Sequence, residues 1–178
     1  MKTSAEIKLD LQSVEDIFFK NTGPLNCRRL LNETTEEFII EESAKYPRHM
    51  PFYFTVYVPP HEIKRVHEVV SAIHKHFAYR REKSKEKVKN TLHVGWRSLV
   101  IGFIFLVLTY LIVQMLSPYF FEGGLAITIR EFLIITAWVA LWRPAELLLY
   151  GWYPFLHEAN LFHRLEQSDI KVIDKSAA

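Results

Sequence analysis

Apolar and polar positions divide this chain into stretches of different period. Ala5-Glu6-Ile7-Lys8-Leu9-Asp10-Leu11 alternates strictly, with Ile7, Leu9 and Leu11 on one side and Glu6, Lys8 and Asp10 on the other. A period of two is that of a half-buried strand. Residues 52–58, Phe-Tyr-Phe-Thr-Val-Tyr-Val, are β-branched and aromatic throughout, and Pro59-Pro60 follows them. That predicts a second strand, a stop and a helix start. Between the two, Ser13 is placed to cap a helical turn over Val14–Phe19, and Asn21, Gly23 and Pro24 mark a loop. Thr34 and Glu37 have capping-box spacing, and Phe38, Ile39 and Ile40 give a helix to about Lys45 an apolar side. Beyond the prolines, Ile63, Val66, Val70, Ile73 and Phe77 recur at spacings of three and four. That stripe predicts a helix lying on the sheet.

From Ser98 to Phe121 there is no charge, and Leu99–Leu116 interrupts its apolar run only with Thr109 and Gln114. About 20 such residues span a hydrocarbon core of ~30 Å, so a transmembrane helix is expected over 98–117. Ser117, Pro118 and the pair Gly123-Gly124 predict a break, with an external loop over 118–130. A second crossing is expected over 131–152. It carries Arg143, Pro144 and Glu146, with Pro144 kinking the helix. A rival register ends this span at Trp142 and makes Pro144–Phe155 an interfacial helix, at the cost of drawing Arg130 and Glu131 into the membrane. Trp96, Tyr119, Trp152 and Tyr153 are the expected interfacial anchors. Gly102 has no small residue four positions on, so a GxxxG face is not indicated.

Over residues 153–178 a short amphipathic helix is expected around Phe155, Ala159, Phe162 and Leu165, then a loose tail. Ile170 and Val172 alternate with Asp169 and Lys171, which is compatible with a third strand returning to the head. The expected organisation is therefore α+β. A β-α-β-α cytosolic head spans 1–78, a basic stem helix 79–97, a two-helix transmembrane hairpin 98–152, and a cytosolic end 153–178.

Charge sharpens this picture. The 178 residues carry a net charge of only +2, and mean hydropathy is near zero, as in an ordinary globular protein. Yet residues 1–60 hold 7 basic and 9 acidic side chains, while residues 61–97 hold 10 and 4. Arg80, Arg81, Lys83, Lys85, Lys87, Lys89 and Arg97 precede the first apolar run, and no Lys or Arg follows it until Arg130. The positive-inside rule then places both termini in the cytoplasm. The same basic residues suit topogenesis, a solvated helix face, or attraction to anionic lipid headgroups. Nucleic acid is not an expected partner, because the head is acidic.

Candidate chemistry is sparse. The single cysteine, Cys27, cannot close an intrachain disulfide, and residues 1–20 hold no signal-peptide core. The eight histidines include His67, His74 and His76, but form no HExxH or Cys/His knuckle. They read as surface or interface groups, and no metal or cofactor is expected. No P-loop, GxGxxG or GxSxG occurs, so no catalytic residue is nominated. Arg143 and Glu146, three apart, can meet on one helical face as an intramembrane ion pair. That pair fits a structural role in the hairpin or an oligomer, a proton or ion relay, or headgroup binding.

The run Trp138-Val139-Ala140-Leu141-Trp142-Arg143-Pro144-Ala145-Glu146, with the Ser4-Ala5-Glu6-Ile7-Lys8-Leu9-Asp10 start, resembles small bacterial inner-membrane proteins without an assigned activity. The resemblance implies a cytosolic α/β head, a basic stem, a two-helix hairpin and a bacterial inner membrane. The expected role is a non-catalytic membrane-anchored interaction or scaffold module. It would bind lipid headgroups and a second copy or another membrane protein. The alternative is a small channel or transporter subunit with Arg143 and Glu146 in the membrane interior.

Overall fold

The computed structural model describes residues 5–18, 31–47, 50–120 and 124–175. Loop residues Asn21, Gly23 and Pro24, and with them Cys27 and His49, lie outside those. The fold is α+β, with a small parallel sheet and long helices. In chain order the elements are β1 (Ala5–Asp10), a 3-10 turn (Val14–Ile17), α1 (Glu33–Ala44), β2 (Phe52–Val58) and a second 3-10 turn (Pro60–Arg65). There follow α2 (Val66–Phe120), α3 (Gly124–Glu146), a π-helical turn (Leu147–Gly151), α4 (Tyr153–Glu166) and β3 (Asp169–Asp174). The chain divides into two compact units, residues 1–83 with 157–178, and residues 84–156.

In the first unit the strands lie side by side in the order β1-β2-β3, all parallel. Ile7 pairs with Phe54, and Phe54 with Ile170; Leu9 pairs with Val56, and Val56 with Val172. The third strand is therefore real, and the connection from β2 to β3 contains every residue from 59 to 168. Two right-handed crossovers stepping in the same direction put their helices on the same sheet face. The core obeys this: Ile39 of α1, Val69, Ile73 and Phe77 of α2, and Phe162 and Leu165 of α4 join Ile7, Leu9, Phe52, Phe54 and Val56 in one buried cluster. Glu6, Lys8, Tyr53 and Lys171 lie exposed on the opposite face.

Local expectations shift in three places. α1 begins at Glu33 with Asn32 as its N-cap, and no side chain bonds there. Thr34 thus sits inside the first turn and cannot act as a cap. The apolar stripe of α2 buries Val69, Ala72, Ile73 and Phe77, while Ile63 is exposed. Residues 60–65 form a 3-10 turn at three residues per turn, which moves the phase of the stripe. α2 also continues through Pro118 to Phe120, and α3 starts at Gly124. Most of the stretch expected as a loop over 118–130 is helical. A proline two residues from a helix end costs one hydrogen bond, that to the carbonyl one turn back, and leaves the earlier turns in place.

In the second unit α2 and α3 run antiparallel. A methyl group placed on Gly102 would stand 3.0 Å from Leu141 Cδ2, and one on Gly95 3.0 Å from Leu148 Cδ2. Gly151 faces Thr91 in the same register. Gly95, Gly102 and Thr109 are the buried positions of this part of α2 after residue 84, at intervals of seven. Ala137 and Pro144 are buried on α3, again seven apart, and Gly151 continues the series. Seven residues make two helical turns, so small residues line one seam and let the backbones approach.

Candidate functional site

The chemistry-bearing side chains fall into an outward-facing group on the second unit and a buried group in the first. On α3, Arg143 and Glu146 lie three residues apart, one helical turn, and Arg143 Nη1 is 3.0 Å from Glu146 Oε2. Their side chains are 70% and 49% exposed. The pair therefore stands on the outward face of α3, away from the small-residue seam. Pro144 between them is buried. It has no N–H to give the carbonyl one turn back, and the helix widens into the π-helical turn immediately beyond. Trp152 Nε1 donates to the Leu148 carbonyl at 2.9 Å, engaging one acceptor of that turn.

The register of α2 against α3 fixes levels. Gly102 meets Leu141 and Gly95 meets Leu148. Carried on by equal steps, Glu146 falls level with Arg97, Arg143 with Val100, Trp138 with Phe105, and Arg130 with Val113. The ion pair thus lies where the uncharged run of α2 begins, rather than halfway along it. Around it, Trp138 is 72% and Trp142 75% exposed, with Leu149, Tyr150 and Tyr153 also exposed. Trp96 is exposed on α2, and Trp152 is half-buried, in edge contact with Tyr153. Tyr119 falls in the last turn of α2, and its side chain is outside the described residues.

The basic residues of the stem separate into two sets. Arg80 and Arg81 belong to the first unit, where they meet Glu36 and Glu166 at 2.5 Å. Arg80 also lies over the Phe162 ring. In the second unit Lys87 Nζ is 5.5 Å from the Phe155 ring centre. Lys85, Lys89 and Arg97 are exposed there. Lys83, in the first unit, is exposed as well.

The buried group was not legible in the sequence. His76, expected at a surface, is 4% exposed in the head. Its Nδ1 accepts the Leu31 N–H at 3.2 Å, and its Nε2 lies 3.1 Å from Glu36 Oε2. This carboxylate contact is close without the alignment of a hydrogen bond. Burial pushes the Glu36 carboxyl up, but contact with His76 and the charge of Arg80 outweigh this and hold it below the ordinary carboxylate value. With Nδ1 taken by a backbone amide, the ring joins Leu31 and α1 to α2. It presents no open nitrogen for general-base work. Only the position of His76 on the buried stripe, beside Phe77, signals it in sequence. Its partners are 40 and more residues away.

Two further contacts fasten the head. Glu62 accepts the Val14 N–H at 2.5 Å and the Ser13 hydroxyl at 3.1 Å, and that amide bond, ahead of the hydroxyl, lowers its carboxyl pKa. Arg164 donates to the carbonyls of Pro47 and Met50 and lies 4.3 Å over the Phe52 ring. Among the described residues no group of three or more His, Cys, Asp or Glu is arranged to hold a metal ion. No protein-family model, curated protein or solved structure matches the chain.

Proposed function

We propose that this chain is a two-pass membrane protein whose α/β head is a non-catalytic interaction module on the cytosolic side of a bacterial inner membrane. The observation that carries this reading is where apolar surface is exposed. Among the described residues of the first unit only Phe38, Tyr53, Ile63 and Tyr79 are large, apolar and exposed. In the second unit the exposed set runs from Leu92 to Met115 on one helix and from Ile127 to Tyr153 on the return. Contiguous apolar surface of that extent is not tolerated in water. Two helical stretches, Pro60–Met115 and Ile127–Glu166, each contain a window long and apolar enough to cross a membrane, and little of either window is buried.

The polar groups within these windows support the same reading. Gln114 donates to the Tyr110 hydroxyl at 3.0 Å and Thr136 to the Phe132 carbonyl at 2.8 Å, while Thr109 is buried in the seam. Satisfaction within one helix is what a dry surrounding demands. The outward lysines of the stem and Arg97 fit the anionic headgroups of the cytosolic leaflet, at ~1 kcal/mol each near the surface. Alkaline phosphatase fused after residues 90, 122 and 178 tests the topology. Activity is expected at 122 alone, with the chain retained in carbonate-washed membranes. Release of the chain by carbonate, or activity at 178, would overturn the reading.

A further inference from the structure

We propose that the outer face of α3 is a two-fold interface with a second copy of this chain, in which Arg143 of each copy meets Glu146 of the other. The inference rests on the membrane reading above and names the partner of that module.

The two outward surfaces differ in charge. Both expose aliphatic and aromatic side chains, Ile101, Phe103, Leu108 and Tyr110 on α2 and Ile134, Ile135 and Val139 on α3, but α2 carries no charge from Ser98 to Met115. α3 exposes Trp138 and Trp142, four residues apart and therefore on one face, with the Arg143–Glu146 pair beside them. Tryptophan facing lipid belongs at the membrane boundary. Trp138 falls level with Phe105, well inside the uncharged run. Aromatic rings beside an arginine on an exposed apolar face are instead the composition of a protein contact. The ion pair, level with Arg97 and Val100, stands at the edge of the uncharged run, where each of its charges is open to a second partner.

Charge arrangement selects the partner. Arg143 and Glu146 lie about 60° apart around the helix, so a two-fold axis parallel to it and passing between them sets each Arg143 on the side of the other copy's Glu146, about one turn along. The 3.0 Å contact within one chain then becomes half of a four-membered ring. Each charge gains a second partner.

Two differently tagged full-length copies, co-expressed and extracted in mild detergent, test this. The wild-type pair is expected to co-purify. Arg143→Glu leaves only acids on the face and Glu146→Arg only bases, so each variant paired with itself is expected to lose recovery. One copy of each, mixed, is expected to regain it, which an ion pair confined to one chain would not produce. Trp138→Leu, which keeps the face apolar, is expected to lower wild-type recovery by at least ~10-fold. Wild-type chains that do not co-purify, or a mixture that fails to recover, overturn the interface. Carbonate washing of the same membranes separates the two failures. A chain retained but monomeric removes only the dimer, and a chain released removes the membrane reading with it.

Discussion

His76 Nε2 stands 3.1 Å from Glu36 Oε2 inside the head, joining α1 to the start of α2. The carboxylate also faces Arg80 at 2.5 Å, and contact with His76 and the charge of Arg80 hold its pKa below the ordinary carboxylate value. A depressed carboxyl binds protons more weakly folded than unfolded. Its stabilisation is complete above about pH 4.5 and is lost as the pH falls through the lower folded value. Glu36→Gln is expected to lower thermal stability at pH 7 by roughly 1–3 kcal/mol, because it leaves Arg80 and His76 without their anion. The gap to wild type should shrink below pH 4. Melting curves at both pH values check this, and a gap that widens in acid would exclude the assignment.

Phe162 stacks on Phe77 at 6.0 Å between ring centres, and both are buried. This contact ties α4, and through it β3, to α2. Phe162→Ala is expected to cost about 3–5 kcal/mol through lost burial and the cavity left behind. Hydrogen exchange should then rise first in β3, the strand that follows α4. Exchange rising equally in β1 would mean that the sheet opens as one body.

Arg164 holds the carbonyls of Pro47 and Met50 while its guanidinium covers Phe52, and burial lowers its pKa. Lysine can replace the charge but not the planar fork. Arg164→Lys should therefore retain only part of the stability lost in Arg164→Ala, roughly 1–2 kcal/mol. Proteolysis near residues 47–50 is expected to quicken in both. Equal resistance of both variants to protease would remove this clamp.

Gly95 and Gly102 set how near the two long helices of the second unit come. On Gly95 an added methyl meets Leu148 Cγ at 3.1 Å and Leu147 Cβ at 3.3 Å, atoms close to the backbone. On Gly102 the nearest atom is the free end of Leu141. Gly95→Val is thus expected to cost more than Gly102→Ala, about 1–3 kcal/mol against less than ~1. Unfolding in mixed detergent micelles would rank them, and the reverse order would refute the register.

Much of the head was readable along the chain. The alternation at 5–11 and the β-branched run at 52–58 become β1 and β2, because a period of two depends only on which side of a strand is dry. Residues 169–174 were ambiguous, since alternation that short also suits a tail. Their pairing with β2 settles it. The hairpin seam escaped a search for small residues four apart because its small residues repeat at seven. Arg143 and Glu146 were recognisable as neighbours from helical spacing alone. Which way they face was not.

The sequence by itself determined the local periods, the uncharged run at 98–121 and the basic bias before it, all properties of residues a few positions apart. Only the tertiary structure decided that one sheet face is left open, that Gly102 meets Leu141, that His76 is enclosed beside Glu36, and that the Arg143–Glu146 pair faces outward. Apart from that pair, the contacts behind these features join residues from 39 to more than 100 positions apart. Their energy comes from burial and desolvation, which no local pattern encodes.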